Sequence, residues 1–276
     1  YRIRITVAGS KTAVAFDSGP VTLEGGTDPI VAAVDNTNAG AGIIEGTEIP
    51  VPVSALIVSR QGVAEILDAQ TTAEIRVTHA VPDVGQNVDV LVDGDVAVPD
   101  FAFTDVAGPL PLPGGSYVFQ VAVGGNAVIN PDGEATTLAD GVYYDAIAVG
   151  SVAADNLGLF TAADDRRRLA TAAKLRVMHG SPSTPEVDLY IVDAAVTDIS
   201  AVDPFATDIP YLFNSGYLEV APGDYNVYVT PAGTKVKAIS AEGITVDAAG
   251  IYTAIARDPI APDTALGLIL LDDSPL

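Results

Sequence analysis

The strongest constraint in this sequence is that it repeats itself. Residues 75–92, IRVTHAVPDVGQNVDVLV, match residues 175–192, LRVMHGSPSTPEVDLYIV, so His79 and His179 occupy the same place in two copies. Further matches follow in the same order: LPGGSYVFQVAV with APGDYNVYVTPA, residues 136–150 with 244–258, and residues 157–165 with 266–274. An ordered repeat fixes the number of structural units before other features are considered. The sequence therefore predicts two complete units.

The chain also begins with part of a third copy. Tyr1 aligns with Tyr117 and Tyr225, and later segments of the N-terminal region align with the two TL/TV…AIA stretches and the two LGL strands. The first residues therefore correspond to the second half of a unit. We predict a partial β-domain followed by two complete β-sandwich repeats, at residues 1–70, 71–168 and 169–276.

The pattern within each unit predicts strands. Short segments rich in Val, Ile, Thr and Tyr alternate apolar with polar residues, and Gly, Pro, Asp and Asn separate them. Alternation with period two is typical of strands that bury one face. We predict an all-β protein of tandem antiparallel β-sandwich domains, immunoglobulin-like or prealbumin-like. The residues expected to face the two cores are Ile75, Val77, Val88, Val90, Phe119 and Val121, and Leu175, Val177, Val187, Leu189, Val227 and Val229.

Composition removes several function classes. The formal charge is −23, from 13 Lys and Arg against 36 Asp and Glu. Such a field repels phosphates, so we expect neither nucleic acid nor anionic membrane surfaces as partners. There is no Cys, which removes disulfides, thiolate metal sites and Cys nucleophiles. The longest apolar runs, such as residues 264–271, are far shorter than the ~20 residues that span a bilayer. We expect no membrane insertion.

The repeat openings RVTHAVPDVGQNVDVLVDG and RVMHGSPSTPEVDLYIVD resemble the domain-of-unknown-function family 4397. Units of that family open with a strand ending in His, a Ser-Pro-type turn and a strand centred on Val-Asp-Val-Tyr, and the later LPGGSY and APGDY turns are similar to its Pro-Ala-Gly-Thr-Tyr turn. The resemblance implies an extracytoplasmic, often tandem β-domain of bacterial and archaeal surface proteins. The family has no known activity, so the resemblance supplies no catalytic residues.

Six residues form the signature of the repeat: His79, Asp89, Tyr117, His179, Asp188 and Tyr225. A catalytic His is needed once, whereas these two recur at one place in each copy. We therefore expect a structural role, in which each imidazole ties the end of its strand to the neighbouring turn. The alternative is a His–Asp pair that moves protons.

No cofactor, metal or catalytic residue is predicted, and we expect no enzymatic activity, because nucleophile elbows, phosphate loops and metalloprotease helices are all missing from the sequence. Two turns are rich in hard oxygen ligands: VDGDV with Asp93 and Asp95, and NPDGE with Asn130, Asp132 and Glu134. Both lack the spacing of known calcium loops and suit hairpin turns. Ten Tyr residues leave a carbohydrate-stacking face open as a further alternative.

The partial repeat carries the functional prediction. Alone, residues 1–70 would expose an apolar face and unpaired strand edges, which soluble proteins avoid. We expect the missing half of a parent chain or a neighbouring copy to complete them, through candidate self-assembly residues Tyr1, Ile3, Ile5 and Val7. The sequence thus predicts a secreted or cell-surface structural or adhesive repeat protein from a prokaryote, which is a fibre subunit if a neighbouring copy completes the half repeat. The alternative is a glycan- or calcium-binding module of a larger surface protein.

Overall fold

The computed structural model describes residues 1–23, 28–36, 38, 43–44, 47–48, 51–60, 62–184, 186–260 and 265–274. Every element in this part of the chain is a strand, which confirms the all-β prediction. Over the same residues, no helix of the length and apolarity needed to cross a membrane is found.

The N-terminal segment contains seven strands within the described residues: β1 (Arg2–Thr6), β2 (Val14–Pro20), β3 (Ile30–Asp35), β4 (Ile43–Ile44), β5 (Thr47–Glu48), β6 (Val53–Ser59) and β7 (Gly62–Ile66). The first two form an antiparallel hairpin. β3, β6 and β7 form an antiparallel sheet in that order. β4 and β5 pair with each other.

The middle repeat contains β8 (Ala73–His79), β9 (Val88–Val92), β10 (Asp95–Phe101), β11 (Val106–Leu112), β12 (Gly115–Val123), β13 (Asn126–Ile129), β14 (Ala135–Leu138), β15 (Tyr143–Val149) and β16 (Gly158–Asp164). One sheet has the order β10-β9-β12-β13, with β14 also paired to β12. The other has the order β11-β8-β15-β16.

The C-terminal repeat contains β17 (Ala173–His179), β18 (Glu186–Asp193), β19 (Ala206–Pro210), β20 (Asn214–Val220), β21 (Gly223–Pro231), β22 (Ile239–Val246), β23 (Ile251–Arg257) and β24 (Gly267–Asp272). Its sheets have the orders β19-β18-β21-β22 and β20-β17-β23-β24. Strand for strand, this order repeats that of the middle repeat. All twelve residues predicted to face the two cores are buried.

One sheet of the C-terminal repeat, β20-β17-β23-β24, is mixed rather than purely antiparallel. β17 runs parallel to β23, from Lys174 opposite Ile251 to His179 opposite Ala256. The pairs β17–β20, β18–β19, β18–β21, β21–β22 and β23–β24 are antiparallel. Sequence alternation did not indicate the parallel pair, because a strand has the same period in both arrangements.

The N-terminal strands follow the second half of a repeat. The hairpin of β1 and β2 corresponds to β12 with β13 and to β21 with β22, and the pair of β3 and β6 corresponds to β23 and β24. β7 has no counterpart in the complete repeats. The chain forms two compact units that do not coincide with the predicted repeats. One unit contains Tyr1–Arg76, Gly108–Tyr117 and Ala135–Asp145, and the other contains the remaining residues. The boundaries at residues 70 and 168 therefore stay a prediction.

An apolar cluster in the second unit joins the two repeats. Ile147 and Val149 of β15 pack with Met178, Ile255 and Ile269 of the C-terminal repeat. Ile147 and Ile255 occupy equivalent repeat positions. The cluster explains why β17 is buried along its whole length, since one face meets its own core and the other meets the neighbouring repeat.

A buried ionic network lies beside this cluster. The Arg176 guanidinium pairs with Asp164 of β16 and lies 3.8 Å from the Asp273 carboxylate. Its Nε donates to the Thr253 hydroxyl at 2.9 Å, and the Tyr217 ring lies 4.8 Å from Cζ. One cation therefore serves two carboxylates that are equivalent in the repeat. Asp164 is the last residue of β16, so the network begins at the end of that strand.

We predict that Arg176→Ala lowers the free energy of unfolding by about 3–5 kcal/mol, because it removes the cation that pairs with buried carboxylates. The control is Arg4→Ala, which breaks an exposed ion pair with Asp17 and should cost less than about 1 kcal/mol. Urea unfolding of the two variants measures the difference. Equal losses would contradict the assigned role of the network.

Candidate functional site

Each repeat histidine closes the turn that follows its strand. The Nδ1 atoms of His79 and His179 accept hydrogen bonds from the backbone N–H of Val81 and Ser181, both at 3.3 Å. Because Nδ1 accepts, the proton of the neutral ring sits on Nε2. In the C-terminal repeat this Nε2 donates to the Thr184 carbonyl at 2.7 Å. Both rings thus tie a strand end to its turn, the arrangement expected for a structural role.

The surroundings of the two rings differ. His79 stacks on Phe101 with centroids 6.2 Å apart and meets the edge of Phe103 at 6.0 Å. Its Nε2 is among the buried side-chain atoms of the described residues that have no hydrogen-bond partner. Burial lowers the pKa of His79 to about 4, against the opposing charge of Asp105. Burial also lowers the pKa of His179. Both imidazoles are neutral at neutral pH.

The repeat aspartates serve neighbouring strands. Asp89 accepts from the backbone N–H of Asp100, and Asp188 from that of Asp208, each at 3.0 Å. Asp100 and Asp208 have φ of 54° and 53°, a left-handed conformation that needs local support outside glycine. Over the part of the chain that the structure describes, no hydrogen bond joins either His to its predicted Asp. The geometry thus gives no support to the proton-transfer alternative.

The repeat tyrosines lock the turn before their strands. Tyr117 donates its hydroxyl hydrogen to the Pro113 carbonyl at 2.7 Å, and Tyr225 to the Ala221 carbonyl at 2.9 Å. Each ring therefore folds back over the Pro-Gly turn that precedes it. These phenol groups are committed to backbone acceptors, an arrangement suited to fixing a turn.

Sequence reasoning missed an Asp–Ser hydrogen bond that occurs in both repeats. The turn after the histidine supplies the Asp in the middle repeat and the Ser in the C-terminal repeat. In the middle repeat Asp83 accepts from the Ser151 hydroxyl at 2.6 Å. In the C-terminal repeat Ser183, which aligns with Asp83, donates its hydroxyl hydrogen to Asp258 at 2.7 Å. The only sequence signal was the Ser-Pro turn, because neither partner lies near the other along the chain.

This cluster brings Ser, His and Asp together without the geometry of nucleophilic catalysis. The Ser181 hydroxyl donates to Asp258, whereas His179 receives only the backbone N–H of Ser181. A serine nucleophile needs a base at its own hydroxyl. The arrangement instead links the turn after β17 to the end of β23.

The two oxygen-rich turns use their side chains locally. Asp93 accepts from the Val118 N–H at 2.8 Å and stands beside Gly94, both with positive φ. Asn130 accepts from the Glu134 N–H and donates to the Phe119 carbonyl, each at 2.8 Å. These contacts are those of turn chemistry. In these two turns, the contacts described favour neither calcium nor carbohydrate, and both stay alternatives.

The candidate self-assembly residues lie on and beside β1. Tyr1 is 82% exposed and Val7 56% exposed, while Ile3 and Ile5 are half-buried. On the opposite face, the exposed Arg4 side chain donates to Asp17 at 2.7 Å. A stronger hydrogen bond from Arg2 is the main reason that the pKa of Asp17 lies far below its usual range. β1 is therefore an edge strand within the described residues, and its two arginines share the Asp17 carboxylate.

A family model described as Domain of unknown function (DUF4397) matches residues 73–190 and 191–276. This chain belongs to that family. The family thus matches in tandem, with both histidine turns inside the first matched range. A search of curated proteins gives no match.

Two solved structures show a distant likeness. The Bacillus anthracis TIE protein has 11% identity and a TM-score of 0.21, over 84% of this chain and 47% of that one. The chain thus spans about half of that protein's length. A candidate cell adhesion protein from Bacteroides fragilis has 12% identity and a TM-score of 0.18, over 100% of this chain and 95% of that one. TM-scores this low support no argument about function.

We predict that His179→Phe costs about 1 kcal/mol more in unfolding free energy than His79→Phe. Both changes remove the Nδ1 acceptor, but only His179 also loses a hydrogen bond from Nε2 to a carbonyl. Chemical denaturation of the two variants tests this. A larger loss for His79→Phe would contradict the assignment.

We predict that acidification from about pH 6.5 to about 4 destabilises the protein through His79. The unfolded imidazole, with an ordinary pKa of 6.5, gains a proton in this range, whereas the folded one, with a pKa of about 4, stays neutral. The unfolded state then binds more protons than the folded state, so the free energy of unfolding decreases as the pH is lowered. His79→Phe should flatten this slope relative to the unmodified chain in thermal unfolding. Parallel slopes would show that His79 does not titrate this way.

Proposed function

We propose that this chain is a non-catalytic structural repeat protein of the cell exterior, whose copies join by strand addition at β1. The family resemblance supports the location, since it implies surface proteins of bacteria and archaea. A non-catalytic role is supported by the hydrogen bonds of four side chains, each of which stabilises a turn: His79, His179, Ser181 and Asp258.

The observation that carries the proposal is the pairing of β1. Within the described residues β1 pairs only with β2. In the complete repeats the equivalent strands are paired on both sides: β12 with β9 and β13, and β21 with β18 and β22. β3 likewise pairs only with β6, where β23 has both β17 and β24. The half repeat thus has two strand edges without a neighbouring strand among the described residues. In the complete repeats, strands from the first half of the repeat pair with the equivalent edges.

Charge indicates which surface meets β1. Residues 1–11 contain Arg2, Arg4 and Lys11 and no acidic residue, in a chain of net charge −23. In the complete repeats, the strand that covers this edge is acidic, with Asp89 in β9 and Asp188 in β18. A basic edge in an acidic protein favours contact with another copy of the same chain.

The edge strand β10 of a second copy fits this requirement. It stands at the end of its sheet, begins with Asp95 and includes Asp100. Its Val96 is 55% exposed. Pairing of β1 with β10 of the next copy uses different surfaces of identical chains, so it propagates into a filament unless it closes into a ring. This pairing would not require a spare strand from either molecule.

We predict that Arg2→Glu with Arg4→Glu weakens self-association by at least about tenfold, because the edge strand then repels the acidic β10. The control is Arg60→Glu with Arg167→Glu, which makes the same change in net charge at exposed positions outside β1. Light scattering over a concentration series, with electron microscopy of the assembled sample, gives the readout.

The proposal expects the control to associate like the unmodified chain. A chain that stays monomeric at every concentration would overturn it. So would equal weakening by both pairs of substitutions, since the effect would then come from net charge alone.

A further inference from the structure

The core of the C-terminal sandwich contains an apolar cavity. Its volume is about 280 Å³, against about 10 Å³ for the cavity in the core of the middle repeat. Aliphatic side chains and two tyrosines line it, with Thr245 and Asp272 as the exceptions. Protein interiors are close-packed and contain few voids larger than a water molecule. A cavity of this size in one of two equivalent cores therefore distinguishes this repeat.

One substitution between the repeats accounts for much of the difference. In the middle repeat Phe119 pairs across the sheet with Val92 and is 2% exposed. The equivalent position in the C-terminal repeat is Val227, which pairs with Ile191. Both Ile191 and Val227 line the cavity. The aromatic ring that fills one core is thus replaced by a small side chain in the other.

The exposed residues of the lining lie on the edge strands β22 and β24. Ile244 and Thr245 of β22 and Leu270 and Asp272 of β24 line this side. Leu270 is 54% exposed although it is aliphatic. An apolar side chain held open beside a cavity gives a chain-like molecule a continuous path from solvent into the core.

The charged group of the lining is an acceptor. Asp272 is exposed and lines the cavity. The lining includes no Lys, Arg or His. A carboxylate at the exposed end of the lining, in a protein of net charge −23, repels an anionic head group and attracts a cationic one.

We propose that the C-terminal repeat binds an amphiphile with a single aliphatic chain and a cationic head. The chain lies in the cavity, and the head group meets Asp272 at the exposed end of the lining. Since an apolar cavity of 150 Å³ holds a benzene molecule, this one admits roughly eight to ten carbons. The cavity includes no residue of β1, so amphiphile binding and self-association are tested by separate experiments.

The binding test uses decylamine, 1-decanol and decanoate as competitors for the fluorescent apolar probe N-phenyl-1-naphthylamine on the full chain. We expect decylamine to displace the probe at the lowest concentration, 1-decanol next and decanoate last. Tightest competition by decanoate, or no probe binding at all, would overturn the proposal.

The location test uses Val227→Phe, which places in this core the ring that the middle repeat carries. We expect it to reduce probe and decylamine binding at least tenfold. Val236→Phe is the matched control, because it makes the same change at a side chain that is 71% exposed and does not line the cavity. Undiminished binding by a folded Val227→Phe protein would overturn the proposal.

A second variant covers the case in which Val227→Phe does not fold. Ala254→Val adds methyl groups to another lining residue, on β23. It should weaken decylamine binding while circular dichroism shows an unchanged fold. Unchanged affinity in this variant would also contradict the site.

Discussion

Hydrogen bonding along strand edges is the constraint on which this structure depends. In the C-terminal repeat, β17 lies between β20 and β23, and β18 lies between β19 and β21. The first half of the repeat thus supplies the strands that cover the edges of the second half. Backbone groups left without partners are costly, and exposed edges promote pairing with other chains. In the described residues, β1 pairs only with β2, so the same rule applies to its other edge, which we propose is covered by another copy.

The repeated pattern predicted the strands and the residues of both cores, because burial of one face imposes alternation. It could not predict the parallel pairing of β17 with β23, since the period of a strand does not depend on direction. Nor could it predict that Lys174, Arg176 and Met178 are buried as fully as Leu175 and Val177. Their outer face meets the neighbouring repeat, and the carboxylates that pair with Arg176 lie on β16 and after β24. Such contacts leave no local signal.

The candidate sites show the same division. The histidine turn was predictable because its motif is local and occurs twice. The exchange of Asp83 with Ser183 was not, because each residue has its partner at the far end of another strand. The cavity depends on a change from Phe119 to Val227, two apolar residues that satisfy the same alternation. Pattern identifies which positions face a core, whereas volume decides how that core is filled, and volume emerges only when both sheets are in place.

Amide hydrogen exchange of residues 1–7, measured at low and at high protein concentration, tests the central claim most directly. If another copy covers the open edge of β1, these amides exchange quickly in dilute solution and become protected as the chain associates, while amides in β21 stay protected throughout. Protection of β1 that is already complete in the dilute monomer, or that never rises with concentration, would contradict the account.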